Sequence, residues 1–353
     1  MPLIQSIRMT PVSFRLHQPF ITASGKKTTT HNVQVTVGLS DGTAGVGEAS
    51  SSLAMPGESQ KNMEEALKEL VPEVREKDIQ DYRSLIQTCW RLQPYHPTAV
   101  AALECALLDA YTHWKKQPLY QFLGGRQTSV ETDLTLSIGT PAKLYQSAKG
   151  AAKKGFRKFK IKLAGDSPQK DAERVLAVHR AVPRAALVAD GNQGLNASQA
   201  LDFVHRLAKA RVQLEFLEQP FPKHDLPLMR SFRKKSRVPL MVDETVLTPA
   251  DALRVFESEA ADGVVIKLAK SGLLGALDII QTARRFKKRL AIGCMEESKL
   301  GLAASVHLAC GSGAFDWIDL DSVFLVEEPA RRGGFRISGA RLSVAGVKAG
   351  IGM

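Results

Sequence analysis

Lys158-Phe159-Lys160-Ile161-Lys162, Leu187-Val188-Ala189-Asp190, Leu214-Glu215-Phe216-Leu217-Glu218, Leu240-Met241-Val242-Asp243 and Gly263-Val264-Val265-Ile266-Lys267 succeed one another through the middle of the chain. Each is a short, β-rich run closed by an ionisable residue. The gaps between runs carry helical periodicity, as in Ala172–Ala181 and Ala250–Glu257. Leu134–Ile138 precedes the series, and Leu290–Cys294 and Trp317–Asp321 extend it. Eight strands alternating with helices predict a closed parallel barrel. An open doubly wound sheet fits the same alternation. The absence of GxGxxG after the first run weakens a dinucleotide-binding version of it.

Outward from the barrel the texture changes. Residues 1–125 mix strands (Ile4–Leu16, Val33–Leu39) with helices (Gln60–Leu70, Ala99–Trp114), and Asp41-Gly42 signals a hairpin turn. This segment reads as a separate α+β unit ahead of a barrel over 126–324. The Gly-rich, β-like tail, 325–353, is expected to pack back on that first unit. The stretches from Pro19 to Asn32 and from Ala49 to Ser59 are small and polar, and read as mobile loops over a site.

Bulk properties exclude several classes. With 353 residues, 44% hydrophobic and 24% charged, the chain can bury a large core. Neither a secretion signal nor a membrane span is visible. Cys89, Cys105, Cys294 and Cys310 lack CxxC spacing, so free thiols in a reducing cytoplasm are expected. The net charge of +12 comes from scattered groups such as Lys153-Lys154, Arg233-Lys234-Lys235 and Lys287-Lys288-Arg289. Scattering favours a solvated surface over a nucleic-acid footprint, and a basic field can draw an anionic substrate.

The strand ends carry the chemistry, because in a barrel they converge on one face. Alternation aims Lys160 and Lys162 the same way. Asp190, Glu218 and Asp243 close the next three strands, and Lys267 closes the one after. The steps of 28, 25 and 24 residues are each one βα unit. Three carboxylates from neighbouring strands suit one Mg²⁺ with positions left open for substrate oxygens. Lysines beside them can act as bases, and a proton next to a carboxylate leaves only if the resulting enolate is stabilised.

These residues resemble the enolase superfamily in its muconate-lactonizing branch, over nearly the whole chain. The matching motifs are Ala102-Leu103-Glu104 with Asp109, Leu119–Gly125, Lys160-x-Lys162, Asp190-x-Asn192, Glu218-Gln219-Pro220, Asp243-Glu244-Thr245 and Ile266-Lys267-Leu268-x-Lys270. The resemblance implies a modified TIM barrel, (β/α)7β, with an N-terminal α+β capping domain. It implies Asp190, Glu218 and Asp243 as Mg²⁺ ligands, Lys162 and Lys267 as opposed acid/base lysines, and Lys160 as an assistant to Lys162. Asn192, Glu244 and Glu297 are expected to support the ligands from behind. Members of this branch are commonly homo-oligomers.

Within that branch, Asp319-Leu320-Asp321 is similar to the Asp-x-Asp motif with which dipeptide epimerases, including L-Ala-D/L-Glu epimerases, grip the substrate's α-ammonium group. Gly293-Cys294-Met295-Glu296-Glu297-Ser298 resembles the adjoining stretch, and Thr135 matches a substrate-contact position. The implied activity is inversion of the Cα of a dipeptide's C-terminal residue by 1,1-proton transfer through an enolate. N-succinylamino-acid racemases, o-succinylbenzoate synthases and muconate cycloisomerases share the lysines and remain the alternative. Cys294, Met295 and Glu296 are expected at the substrate, Glu296 as a hydrogen-bond partner or as the reader of a cationic side chain. Relatives that act on Ala-Glu carry an arginine where this chain has Gly25. Lys26 or Lys27 is expected in its place, without an arginine's bidentate contact.

Overall fold

The computed structural model describes residues 1–329 and 333–353. Strands β1 (Ile4–Thr22), β2 (Gly25–Leu39) and β3 (Ala44–Ser50) form an antiparallel sheet in that order. Val33, Val35, Val37 and Leu39 alternate onto its buried face. Helices α1 (Gln60–Val74), α2 (Tyr82–Leu92) and α3 (Pro97–Trp114) complete this first unit. Helix α3 lies so close to β3 that a Cβ at Gly47 would stand 2.1 Å from Ala102 O, which requires glycine there. The Asp41-Gly42 turn forms as expected, with Gly42 at φ 86°.

The Pro19–Asn32 stretch is not a loop. It is the far half of the β1–β2 hairpin, which turns only at Ala23-Ser24. Its polarity is internal: Thr30 and Asn32 are buried and bonded to each other at 2.6 Å. The register slips between Arg15 and Phe20, and such irregularities bend a strand away from its sheet. Of the second expected loop, Ala49 and Ser50 belong to β3 and the remainder is loop.

After the short β4 (Ser129–Glu131) come eight parallel strands: β5 (Leu134–Leu136), β6 (Lys158–Lys162), β7 (Ala186–Asp190), β8 (Phe216–Glu218), β9 (Leu240–Val242), β10 (Gly263–Ile266), β11 (Arg289–Ile292) and β12 (Trp317–Ile318). They pair in sequence order. Strands β5 and β12 stand at the two ends of that order. Asp133 N–H donates to Ile318 O at 2.9 Å, and Leu320 N–H donates to Thr132 Oγ1 at 2.8 Å, bringing the ends together. The intervening helices start cleanly. Thr140-Pro141, Ser167-Pro168 and Thr248-Pro249 each place a hydroxyl on the backbone N–H three residues on, with proline in the first turn. Among the described residues no helix is long and apolar enough to cross a membrane.

The tail touches both units. β13 (Val326–Glu327) pairs with β1 at Arg15 and Leu16, while β14 (Arg336–Ser338) and β15 (Arg341–Ser343) form a sheet with β4. Asp109 on α3 accepts N–H bonds from Val46 on β3 and from Ile351 in the tail. Glu104 on the same helix accepts from Trp90 and from Leu274 N, linking cap to barrel. The basic triplet Arg233-Lys234-Lys235 occupies the last turn of its helix, where the macrodipole favours cations.

Candidate active site

The barrel interior is layered by strand alternation. Val188, Phe216, Met241, Val265, Ala291 and Trp317 form a buried apolar cluster of their own. Two residues further along the same strands stand Asp190, Glu218, Asp243, Lys267, Gly293 and Asp319. A period of two returns each side chain to the interior one layer higher, so an apolar floor carries a reactive layer above it. On β6, Phe159 and Ile161 turn outward into the core while Lys160 and Lys162 turn inward. Gly293 leaves room for its neighbour, since a Cβ there would lie 2.9 Å from Lys267 Cε.

The three expected ligand carboxylates are all buried, and Asp190 and Glu218 are direct register partners. Lysines hold them. Asp190 Oδ2 lies 2.6 Å from Lys162 Nζ and 3.2 Å from Lys160 Nζ. Glu218 Oε1 is 2.7 Å from Lys160. Asp243 is bridged by Lys267 at 2.8 Å and by Lys270 at 2.6 Å. Burial opposes ionisation of Asp190, but Lys162 and Lys160 outweigh it and hold the carboxyl far below its usual range. Lys267, Lys270 and Lys160 do the same for Asp243 against the same penalty. Glu218 goes the other way: burial, reinforced by Asp190 and Asp243, pushes it up to about 8 despite Lys160. Burial pulls Lys267 down, yet Asp243 leaves it above the normal lysine range. Lys160 is likewise raised, by Asp319, Glu218, Asp190 and Asp243 against burial.

Behind the trio, Asn192 Nδ2 donates to Glu244 Oε1 at 3.3 Å, and Asn192 N–H donates to Asp190 Oδ1 at 2.9 Å. Glu244 Oε2 and Asn192 Oδ1 are buried without hydrogen-bond partners. Burial, with Asp243 and Asp190, pushes Glu244 up to about 7. An all-oxygen donor set with orphaned oxygens beside it fits a small, hard divalent cation.

Just past β12, Asp319 Oδ2 accepts from Lys160 at 2.9 Å, and Asp321 Oδ2 accepts Thr135 N–H at 2.6 Å. Asp133, Asp319 and Asp321 present oxygens within 4.8 Å of one another. Burial and the Asp319 charge push Asp321 up to about 7. This corner is short of positive charge.

A pocket of about 50 Å³ joins these groups; Thr135, Lys160, Lys162, Asn192, Asp243, Lys267, Cys294, Met295, Glu296, Asp319 and Asp321 all line it. Its roof comes from the cap: Phe20, Thr22 and Ser24 at the hairpin tip and Ser52, Leu53 and Ala54 in the following loop. Glu297 sits behind, buried, with Oε2 unpartnered. Lys26 is exposed; its neighbour Lys27 is the lysine that reaches inward, 2.9 Å from Glu296.

Three further residues belong to the arrangement. Phe20 covers Lys162, whose Nζ stands 5.6 Å from the ring centroid. Gln219 Oε1 accepts Asp243 N–H and Thr245 N–H, setting the end of β9. Asp133 binds Trp317 Nε1 through Oδ2 and leaves Oδ1 unpartnered. Gln219 lies inside the Glu218-Gln219-Pro220 motif, and Asp133 lies two residues before Thr135, so both carried a sequence signal. Phe20 carried none.

Two family models cover this chain. Residues 4–124 match the mandelate racemase / muconate lactonizing enzyme N-terminal domain, and residues 143–353 match the enolase C-terminal domain-like model. The chain belongs to the mandelate racemase / muconate lactonizing enzyme family. Its relatives in this family include an aromatic dipeptide epimerase of Herpetosiphon aurantiacus, 35% identical over 98% of this chain and 97% of that one. The structure of a substrate-liganded L-Ala-D/L-Glu epimerase from Bacillus subtilis has a TM-score of 0.96 at 31% identity, covering 99% of this chain and 98% of that one. The dipeptide epimerase of Enterococcus faecalis V583, complexed with Mg and the dipeptide L-Leu-L-Tyr, has a TM-score of 0.94 at 28% identity, covering 99% of each chain. The barrel and cap expected from the resemblance are thus those of the family.

Proposed function

We propose that this chain is a Mg²⁺-dependent dipeptide epimerase that inverts the Cα of the C-terminal residue. One observation carries the reading. Lys162 on β6 and Lys267 after β10 stand four strands apart in an eight-strand barrel, hence on opposite walls, with Asp190, Glu218 and Asp243 at the ends of the strands between. Dipeptide relatives and the Mg-bound E. faecalis structure support the substrate class and the metal.

Asp190, Glu218 and Asp243 would hold the metal. Bound there, Mg²⁺ supplies positive charge for the substrate carboxylate whose α-proton must leave. One lysine takes that proton at Nζ and the opposed lysine returns one to the other face, which inverts the centre. Lys160 keeps its own charge and holds Glu218 and Asp319 in place. The Asp319/Asp321 corner, beside Thr135, takes the substrate's ammonium group, whose charge offsets the buried acids. Phe20 and the 52–54 loop exclude water above the lysines.

The remaining assignments follow from this reading. Residues 1–125 serve as the cap, 126–324 as the catalytic barrel and 325–353 as the tie between them. The four free cysteines and a basic charge dispersed over helix ends support a cytoplasmic enzyme acting on a small molecule rather than a nucleic-acid partner.

Incubation with Mg²⁺ and a dipeptide panel in D₂O tests the proposal: deuterium should enter at the C-terminal Cα and both epimers should appear. No uptake in any dipeptide sinks it. Asp319→Asn separates the alternative, because N-succinylamino acids and other substrates without an ammonium group should be insensitive to that change.

A further inference from the structure

Lys27 and Glu296 meet inside the roof. Lys27 Nζ lies 2.9 Å from Glu296 Oε2, with the side chains only 10% and 9% exposed. Lys27 also donates to Thr30 Oγ1 and to Ser51 O. The Glu296 carbonyl accepts from Asn32 Nδ2 at 3.1 Å and from Ser50 Oγ at 3.0 Å. The cap therefore fixes both the backbone and the carboxylate of Glu296. Glu296 lines the same pocket as Lys162 and Lys267, and Lys27 stands behind it.

The directions around the reacting carbon are limited. Lys162 and Lys267, four strands apart in the barrel, would face its two sides. On the epimerase reading its carboxylate would be held at Asp190, Glu218 and Asp243, and its peptide nitrogen would lie on the side of Asp319 and Asp321. Below, the apolar layer fills the barrel. The side chain of the epimerised residue is left with the roof, against Thr22, Ser24, Leu53, Ala54, Met295 and Glu296. Of these six only Glu296 is charged, and Lys27 cancels that charge.

We propose that the Lys27–Glu296 ion pair makes the side-chain end of the pocket neutral, so that the enzyme selects dipeptides whose epimerised residue is uncharged. The inference rests on the dipeptide-epimerase reading and names its substrate class. A cationic side chain would find its carboxylate already paired, and an anionic one would face Glu296 itself. Either would be stripped of water without a partner. An uncharged side chain escapes that charge-desolvation cost. Removing one member should therefore reverse the choice, because the other is left as a bare buried charge.

The experiment compares kcat/KM for alanyl dipeptides ending in leucine, lysine and glutamate, using the Mg²⁺-loaded full chain. Wild type should favour leucine over both charged residues by about tenfold or more. Lys27→Met should raise the lysine-to-leucine ratio by about tenfold, and Glu296→Gln should raise the glutamate-to-leucine ratio similarly. The double variant K27M/E296L should again favour leucine. Ratios within one preparation cancel any loss of folded protein. Fastest turnover of a charged dipeptide by wild type, or by the double variant, overturns the inference. So do single variants whose ratios stay at the wild-type values. If wild type exchanges no dipeptide at all, the epimerase reading itself fails; exchange with unmoved ratios sinks only the selectivity.

Discussion

The two walls of the barrel mouth each carry a pair of lysines, and the pairs are built differently. Lys160 and Lys162 alternate along one strand. Lys267 follows β10 directly, at the N-cap of the next helix, and Lys270 comes three residues later inside that helix. Each pair nonetheless closes on one carboxylate, Asp190 on one side and Asp243 on the other, with Glu218 between. The inner partners then diverge. Lys160 is bound only by acids and is held above its usual range. Lys270 donates to Asp243 O at 2.6 Å and Val265 O at 3.0 Å, and burial pulls it below the normal lysine range despite Asp243. The outer lysines thus take corresponding places on the two walls, whereas the inner ones are an electrostatic hub and a backbone brace.

Removing an outer lysine should have the largest effect. Lys162→Ala and Lys267→Ala should each lower epimerisation by about 10²–10⁴-fold, the usual contribution of a positioned acid/base group. Each variant should still exchange the α-proton of one epimer, and of the opposite epimer in the two cases, as read by NMR in D₂O. Loss of exchange from both epimers in either variant would break the equivalence of the walls.

The inner lysines test the divergence. In metal-free protein, Lys160→Met strands the Asp319 carboxylate and should cost about 3–5 kcal/mol in denaturant unfolding. Lys270→Met should cost less, because burial already works against that charge. The reverse order would show that the brace matters more than the hub.

Between the walls, Glu218 sharpens the comparison through pH. Burial, with Asp190 and Asp243, lifts it to about 8 in the folded chain, well above the ordinary glutamate range near 4.5, so the folded apo-protein binds this proton more tightly than the unfolded chain. Stability should therefore fall as pH rises from 4.5 toward 8, by up to about 1.4 kcal/mol per pH unit for such a group. Mg²⁺ should raise the melting temperature more at pH 8 than at pH 6, because protons and metal compete for the carboxylate. An equal rise at both pH values would place the metal elsewhere.

The smallest effect belongs outside the barrel. Arg206 and Asp202 pair at 2.9 Å on an exposed helix face, and Asp202→Asn should change stability by less than about 0.5 kcal/mol. A larger change would blur the line between interior and surface pairs.

The barrel and its charged layer were legible in the sequence because period-two alternation and βα spacing act locally. Lys160, Lys162, Asp190, Glu218, Asp243 and Lys267 all fall at strand ends that can be counted. The outer half of the β1–β2 hairpin reads as loop in the sequence, since composition cannot tell a polar residue bonded inside a sheet, such as Thr30 or Asn32, from one bonded to water. Phe20 over Lys162 was invisible for another reason: cap and barrel meet only after both have folded.

The sequence by itself determined which side chains enter the barrel and in what order around it, because strand geometry permits only two directions for a side chain. Tertiary structure decided which charges meet. Lys27 and Glu296 lie 269 residues apart, one on each unit, and no local rule relates them. Their pairing exists because the hairpin tip folds over the barrel mouth, where burial makes an unpaired charge too costly to keep.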